Sequence, residues 1–179
     1  SENQKLYEMV VKVLDLSALD KYEFEYKMER LEMKQTIVTV LKSLGGKFEK
    51  FGIRPKMELV EAYAKADKDS LMIVLINLLD NAIKYNRPGG SILVKNHIQE
   101  NGIVIDIMDS GIGIPKESRN SIFDPFYTVD KNRARESGGV GLGLSLAQKY
   151  TQVQGGTLQL LKSDENGTTF RITLPKYDV

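Results

Sequence analysis

Three short sequence blocks, in one order along the chain, constrain this protein more than any bulk property does. Residues 77–85 read NLLDNAIKY, residues 109–115 read DSGIGIP and residues 138–144 read GGVGLGL. The first lies in a helical pattern, the second follows a strand pattern and the third opens another helix. A fold that unites them brings amide side chains, a carboxylate and a glycine-rich helix start together, which are the parts of a nucleotide site.

Composition excludes several classes of protein. With 179 residues and a hydrophobic fraction of 41%, the chain fits one domain with a short appendage. Its 25 basic and 24 acidic residues nearly balance, so the net charge does not indicate nucleic-acid binding. The lack of cysteine excludes disulfides, and the single histidine, His97, has no partner for a zinc site or a catalytic triad. We find no signal peptide and no apolar run of transmembrane length, so we expect a cytoplasmic location.

The apolar periodicity predicts both helices and strands. Helical spacing marks residues 37–48, interrupted at Gly45-Gly46, then residues 67–85 and residues 141–154. Strand patterns cover residues 24–28, 56–60, 91–99, 103–109, 157–162 and 168–174, with turns at residues 100–102 and 166–167. We therefore predict an α/β (α+β) fold, a two-layer sandwich in which three helices cover one face of a mixed sheet.

The N-terminal segment is predicted to form a separate helix over residues 3–18, with a hinge at residues 17–21. Its apolar residues recur at three-to-four spacing: Leu6, Met9, Val10, Val13, Leu14 and Leu16. No neighbouring segment of the sequence offers a surface for this stripe, so we expect the helix to continue a helical bundle outside this chain. A helix that folds back on its own domain is the alternative.

The helix over residues 67–85 carries two amides on one face. Asn77 and Asn81 are four residues apart, and Lys84 and Tyr85 fall near the same face. Amide oxygens suit Mg²⁺, which keeps waters and phosphate oxygens as its other ligands, and Lys84 offers a charge to a phosphate. For the pair of asparagines taken alone, a solvated polar face is the alternative.

The second block places Asp109 at the end of an alternating strand, directly before Gly111 and Gly113. A carboxylate there can accept a hydrogen bond from the amino group of adenine, and glycines let the backbone pass close to a flat base. Pro115 then begins a short helix. Taken alone, these residues also fit an ordinary acidic turn.

The third block opens a helix with Gly139, Gly141 and Gly143, where backbone amides form an anion site. A charged loop precedes these glycines, whereas a Rossmann fingerprint follows a strand. Gly46-Lys47 lacks the Ser or Thr that follows in a Walker A loop, so that motif is excluded as well.

Residues 124–138 lie between the second and third blocks and are rich in charge and glycine without periodicity, which predicts a mobile loop. Phe126 and Tyr127 would anchor its base. Lys131, Arg133 and Arg135 could reach the terminal phosphates when the loop closes as a lid, as such loops do in other enzymes. A solvated charged loop is the alternative for Lys131 and Arg135.

With these blocks in this order, the chain resembles the catalytic ATP-binding domain of two-component sensor histidine kinases, in the superfamily that includes DNA gyrase, Hsp90 and MutL. The resemblance runs over residues 6–175 and implies a Bergerat-type ATP-binding fold. Its N-box resembles residues 77–85, its glycine boxes residues 109–115 and 138–144, its F-box residues 123–126, and its last glycine–threonine block residues 166–170.

The resemblance implies a role for each matching residue. Asn81, assisted by Asn77, would hold Mg²⁺ and Lys84 would contact phosphate, so these three are the implied catalytic residues. Asp109 would read the adenine amino group and Thr168 would lie near the base. The full implied ATP-binding set is Asn81, Lys84, Tyr85, Asp109, Gly111, Gly113, Ile114, Tyr127, Lys131, Arg133, Gly139, Val140, Gly141, Leu142, Gly143, Leu144 and Thr168.

Three residues depart from the family pattern. Ser110 stands where Asn is frequent, Thr128 where Arg is often found and Gln154 where His often precedes the glycine pair. The change at Thr128 would remove one phosphate contact, and the implied role of Asp109 is unaffected.

The resemblance also implies partners. Residues 1–20 resemble the end of the second helix of a dimerisation domain with its hinge, and residues 21–179 resemble the ATP-binding domain. The family carries its phosphoacceptor histidine on a first helix, where His97 does not lie, so this chain should bind ATP and Mg²⁺ without phosphorylating itself. The implied partners are the dimerisation and phosphotransfer domain and a response regulator. The implied parent is a homodimeric, membrane-bound sensor with this domain in the cytoplasm.

Three other functional classes fit the sequence less well than a histidine kinase domain. A gyrase- or Hsp90-like ATPase places a Glu general base on the N-box helix, and Asn77 cannot take a proton there. The N-terminal helix argues against a serine kinase of the anti-sigma type. The intact magnesium and phosphate residues argue against a non-catalytic binding module, so the sequence favours phosphotransfer.

Overall fold

The computed structural model describes residues 2–20, 26–132 and 139–178. The helices are α1 (Glu2–Asp20), α2 (Met33–Ser43), α3 (Gly45–Lys50), α4 (Lys68–Lys84) and α5 (Gly143–Val153), and Lys116–Ser118 form a 3-10 turn. The strands are β1 (Met28–Glu32), β2 (Arg54–Glu58), β3 (Tyr63–Asp67), β4 (Ser91–Gln99), β5 (Gly102–Asp109), β6 (Thr157–Asp164) and β7 (Gly167–Leu174). Over these described ranges, no helix combines the length and apolar character needed to cross a bilayer.

The main sheet has five strands in the order β2-β4-β5-β7-β6. Strands β2 and β4 pair in parallel, whereas the β4–β5, β5–β7 and β6–β7 pairs are antiparallel. This mixed sheet, with its helices packed over a shared apolar core, confirms the predicted sandwich. Strands β1 and β3 form a separate two-stranded sheet that was not predicted. The sequence of β3, YAKAD, lacks the large β-branched residues that indicate a strand.

The helix predicted over residues 67–85 is α4, and local capping explains where it begins. Asp67 Oδ1 accepts a hydrogen bond from the Ser70 amide at 2.8 Å, and Tyr85 caps the other end. The buried side of α4 is apolar and consists of Leu71, Val74, Leu75, Leu78, Leu79, Ala82 and Ile83. Asn77 and Asn81 therefore lie on its other, partly buried side, as the spacing indicated.

Several predicted boundaries shift because long-range pairing decides them. The strand predicted over residues 24–28 forms four residues later, as β1, in which Met28 pairs with Asp67 of β3. Phe24 lies outside the described residues. The predicted interruption at Gly45 is confirmed, since α2 ends at Ser43 and α3 begins at Gly45. The last helix begins at Gly143 rather than at residue 141.

Helix α1 continues through Ser17, which the sequence analysis assigned to a hinge, and Lys21 lies outside the described residues. It packs on α5 through its C-terminal half, where Leu19 is 5% exposed and Leu16 contacts the core. Its outer side exposes Leu6, Val10, Val13 and Leu14. The helix therefore folds back on its own domain and still presents an open apolar face.

Candidate nucleotide-binding site

The three sequence blocks meet in one pocket between α4, the adjoining ends of β5 and β7, and the start of α5. The sheet register places Asp109 directly opposite Thr168, and α4 packs against α5. The predicted site residues that line this pocket are Asn77, Asn81, Lys84, Tyr85, Asp109, Gly113, Ile114, Tyr127, Gly139, Val140, Gly141, Gly143, Leu144 and Thr168.

The remaining predicted residues are not brought into the pocket lining. Gly111 packs on the backbone of Tyr85, whose carbonyl oxygen a Cβ at that position would overlap. Leu142 is fully buried in the protein, and Lys131 is exposed. Arg133 lies outside the described residues, as do Arg135 and Gly138.

The amide face of α4 has the geometry of a cation site. The Asn77 Nδ2 group donates to the Ile73 carbonyl at 2.8 Å, which leaves Oδ1 directed toward the start of α5, where it would lie 3.2 Å from a Cβ at Gly143. Within the described residues, the side-chain amide of Asn81 makes no hydrogen bond. Two neutral oxygen donors beside a phosphate site fit Mg²⁺, which takes its other ligands from phosphates and water. Among the described residues, no group of three or more His, Cys, Asp or Glu side chains is placed to hold a metal ion.

Asp80 also lines the pocket, although the sequence analysis gave it no role. Lys47 lies 2.7 Å from its Oδ1 and Lys84 lies 3.2 Å from its Oδ2. Burial opposes ionisation of this carboxyl, but the hydrogen bonds and charges of Lys47 and Lys84 outweigh burial and hold the pKa of Asp80 below its usual value. The i,i+4 spacing of Asp80 and Lys84 was the available sequence signal.

Asp109 presents one carboxylate oxygen to the pocket and uses the other within the protein. Its Oδ1 accepts from the amides of Gly111 at 2.8 Å and Thr168 at 3.2 Å. Burial raises the pKa of Asp109, and these two hydrogen bonds act in the opposite direction. The Thr168 hydroxyl lies 2.9 Å from that of Ser163, which accepts from the Ile114 amide at 2.8 Å. Within the described chain, Asp109 Oδ2 makes no hydrogen bond, so it can accept from a ligand.

Two glycines of the last two blocks have a positive φ and lie against protein backbone. Gly113 has φ of +75°, and a Cβ there would overlap the Asp164 carbonyl oxygen of β6. Gly141 has φ of +72°, and its Cβ would lie 2.7 Å from the Tyr127 carbonyl oxygen. At both positions the lack of a side chain lets protein backbone segments meet. The expected approach of Gly113 to a base and of Gly141 to phosphates stays a prediction, and both glycines line the pocket.

The base of the predicted lid is anchored by rings and by one backbone contact. The Tyr127 hydroxyl donates to Ser118 Oγ at 2.9 Å, and Phe123 packs edge-on against a ring of β7 with centroids 6.1 Å apart. The ring of Phe126 is 54% exposed, and its backbone amide donates to the Gly141 carbonyl at 2.9 Å. Anchoring is thus confirmed for Tyr127, whereas the prediction for the Phe126 ring is wrong. Residues 124–130 form turns and irregular chain, and residues 133–138 lie outside the described residues.

The departures from the family pattern have local explanations. Ser110 donates to Asn86 Oδ1 at 3.1 Å, which ties the end of β5 to the end of α4. Gln154 is 2% exposed and accepts from the Asp67 amide at 3.0 Å, so it joins the end of α5 to the start of α4. Thr128 lines the pocket in place of the longer residue frequent at that position.

Sequence reasoning missed eight residues of the lining. They are Lys12, Asp80, Ile112, Ile122, Thr128, Val129, Asp130 and Phe170. Ile112, Ile122 and Phe170 add apolar walls to the pocket. Only Phe170 alternates with polar neighbours in the sequence, because Ile112 lies between two glycines and Ile122 precedes Phe123. His97 lies on β4, 3.0 Å from Gln99 and away from the lining, which confirms its assignment as a surface strand residue.

Comparison with known families identifies relatives of the whole chain. The family described as histidine kinase-, DNA gyrase B- and HSP90-like ATPase matches residues 66–178, a range that contains all three blocks. The sensor histidine kinase WalK of Bacillus subtilis is 32% identical over 98% of this chain. The signal transduction histidine-protein kinase ArlS of Staphylococcus aureus is 32% identical over 96% of it. The chain spans 29% of the length of WalK and 38% of that of ArlS.

Solved structures extend the comparison. The nucleotide-free catalytic domain of histidine kinase ThkA is 30% identical, with a TM-score of 0.71 over 83% of this chain and 97% of that chain. ThkA in complex with the response regulator protein TrrA is 25% identical, with a TM-score of 0.75 over 96% of this chain and 49% of that one. The fold around the pocket is therefore shared with these proteins.

Proposed function

The chain belongs to the histidine kinase-, DNA gyrase B- and HSP90-like ATPase family as the catalytic ATPase domain of a two-component sensor histidine kinase, and from this premise we propose that it transfers the γ-phosphate of ATP to a histidine outside residues 1–179. The observation that carries this proposal is the convergence of the asparagine face of α4, Asp109 and the glycine-rich start of α5 on one pocket. The single histidine of the chain, His97, lies away from that pocket.

Each end of the pocket has a proposed role. Asp109 accepts a hydrogen bond from the adenine amino group through Oδ2, and Thr168 keeps Oδ1 in place. Asn77 and Asn81 hold Mg²⁺, and Lys84 contacts a phosphate. When bound, Mg²⁺ would neutralise phosphate charge and help orient the γ-phosphate.

The proposed reaction is an in-line phosphoryl transfer. An imidazole nitrogen of the acceptor attacks the γ-phosphorus, the bond to the bridging oxygen breaks, ADP leaves with that oxygen, and the imidazole loses one proton. The residues of this chain contribute position and charge, which are the main catalytic terms in such transfers.

Two residues of α4 support phosphotransfer over hydrolysis of ATP. Asn77 stands where hydrolytic members of the superfamily place a Glu, and an amide cannot take a proton from water. Asp80 is occupied by Lys47 and Lys84, and its pKa is held below its usual value against the effect of burial, which makes it a poor general base. We therefore place a gyrase-like ATPase second.

The partners are proposed from the family. The acceptor histidine would lie on a dimerisation and phosphotransfer domain, with residues 1–20 as the end of its second helix and residues 21–179 as the ATP-binding domain. A response regulator would receive the phosphate, and the solved complex of ThkA with TrrA supports this step. We propose a homodimeric, membrane-bound parent that carries this domain on its cytoplasmic side.

The test combines the chain with a separately prepared dimerisation domain of its parent, labelled ATP and Mg²⁺. Acid-labile, base-stable phosphate should appear on the added domain, and the chain alone should stay unlabelled. Asn81→Ala should abolish labelling, whereas Asn101→Ala, in the exposed β4–β5 turn, should not. Base-labile phosphate would indicate a serine kinase instead, and rapid phosphate release without labelling would indicate an ATPase.

A further inference from the structure

A lysine from outside the three blocks lines the pocket. Lys12 belongs to α1 and is partly buried, and it lines the pocket together with Asp80 and Lys84, whose charges both act on it. The family match covers residues 66–178, so Lys12 lies outside the region that defines the family.

The register of α1 explains why Lys12 faces the pocket. Met9, Lys12, Leu16 and Leu19 recur at three-to-four spacing and are among the less exposed residues of this helix, together with Asp15 and Ala18. Leu19 and Leu16 pack on the core and hold the C-terminal half of α1 against the domain. Lys12 lies two turns before Leu19 on the same face of α1. Packing of the C-terminal half of α1 against the domain therefore places Lys12 at the pocket.

The Lys12 ammonium is not neutralised by an ion pair. Among the residues the structure describes, no carboxylate lies within ion-pair distance of it, and Asp80 is already shared by Lys47 and Lys84. Burial lowers the pKa of Lys12 and the charge of Lys84 lowers it further, while Asp80 and Glu8 act in the opposite direction. A partly buried cation without a paired anion is costly, and an anionic ligand would relieve that cost.

We infer that Lys12 is a phosphate-binding residue that α1 adds to the nucleotide site, so that a bound nucleoside polyphosphate holds α1 against the domain. The ligand class rests on the proposed function, because Asp109 would select the base at the other end of the pocket. Binding and docking are then linked: a ligand that binds more tightly when α1 is docked stabilises docking by the same factor.

The experiment measures ATP affinity by calorimetry and adenosine affinity by NMR titration on the whole chain. Lys12→Gln should weaken ATP binding about three- to tenfold. This loss lies between that expected for an exposed ion pair and that expected for a hydrogen bond to a charged group. Lys12→Arg keeps the charge and should stay within about twofold of the wild type. Lys5→Gln is the matched control, because Lys5 lies two turns earlier on α1 and is exposed. Adenosine, which has no phosphate, should bind equally to all four proteins.

Hydrogen exchange tests the linkage separately. ATP should protect the amides of residues 9–16 in the wild type and protect them less in Lys12→Gln. Unchanged ATP affinity in Lys12→Gln would overturn the inference and leave the proposed function intact. An equal loss of ATP and adenosine affinity would also overturn it, because Lys12 would then support the pocket rather than a phosphate. A wild-type chain that binds no ATP would overturn both.

Discussion

Lys84 Nζ lies 3.2 Å from Asp80 Oδ2, one turn earlier on α4, while Lys47 of α3 lies 2.7 Å from the other carboxylate oxygen. The side chains of Asp80 and Lys84 are 20% and 22% exposed, so this pair is shielded far better than an ordinary surface ion pair. The carboxylate therefore holds the proposed phosphate-binding lysine in place before a nucleotide arrives, which reduces the entropy that binding must remove.

Asp80→Asn is expected to lower the free energy of unfolding by about 1–2 kcal/mol, because it leaves Lys47 and Lys84 beside each other without their shared anion. Urea unfolding at neutral pH measures this change. Glu58→Gln is the matched control, because Glu58 forms an exposed ion pair with Lys95 at 2.8 Å, and its loss should cost at most about 0.5 kcal/mol. Equal effects of the two substitutions would contradict the structural importance of Asp80.

The contribution of Asp80 to stability is expected to depend on pH. Its pKa is lower in the folded protein than in the unfolded chain, so the stabilisation is present at neutral pH. It is lost as the pH falls below the ordinary carboxyl value of about 3.9 and through the lowered pKa. The stability difference between the wild type and Asp80→Asn should therefore shrink on acidification, and a constant difference would exclude this mechanism.

Asp109→Asn is expected to weaken ATP binding by about 1.5–3 kcal/mol, the usual value of a hydrogen bond to a charged group, with the lower end favoured because the amide keeps one oxygen. Calorimetry measures this loss, and Glu165→Gln in the exposed β6–β7 turn should leave the affinity unchanged. GTP should bind more weakly than ATP, since guanine has a carbonyl where adenine has an amino group. Equal affinities for the two nucleotides would show that Asp109 does not read the base.

ATP binding is expected to depend on Mg²⁺ and to proceed with little hydrolysis. Removal of the metal with EDTA should weaken binding in the wild type, and Asn81→Ala should reduce that dependence because it removes a proposed ligand. Calorimetry with and without EDTA tests the first point, and a phosphate-release assay tests the second. Fast multiple-turnover hydrolysis by the chain alone would favour the ATPase over the kinase.

The chain is expected to be mainly monomeric, with weak self-association at high concentration. Leu6, Val10 and Leu14 on the outer face of α1 are 61%, 48% and 62% exposed, and one short helix face cannot form a bundle core by itself. Sedimentation across a wide concentration range measures this association. Joint substitution of these three residues by Gln should remove it, and a tight dimer that survives the change would place an interface on the ATP-binding domain.

The secondary structure predicted from sequence was most accurate where local chemistry decides it. Helix α4 begins after the cap at Asp67, and the hairpin of β4 and β5 turns near Asn101-Gly102, because capping and turn formation depend on neighbouring residues. Strand β3 was missed because its short sequence carries little strand preference and pairing with β1 holds it. The same pairing moved β1 from its predicted position.

The sequence by itself determined which side chains the proposed site would use and their order, because helical spacing, strand alternation and glycine-rich turns are local properties. Only the tertiary structure decided that Lys47 would share Asp80 with Lys84, that Gly113 would pack on β6, and that α1 would carry Lys12 to the pocket. These relationships join segments that lie far apart in the chain. They depend on how α1, α3 and β6 pack around α4 and β5, which no local pattern encodes.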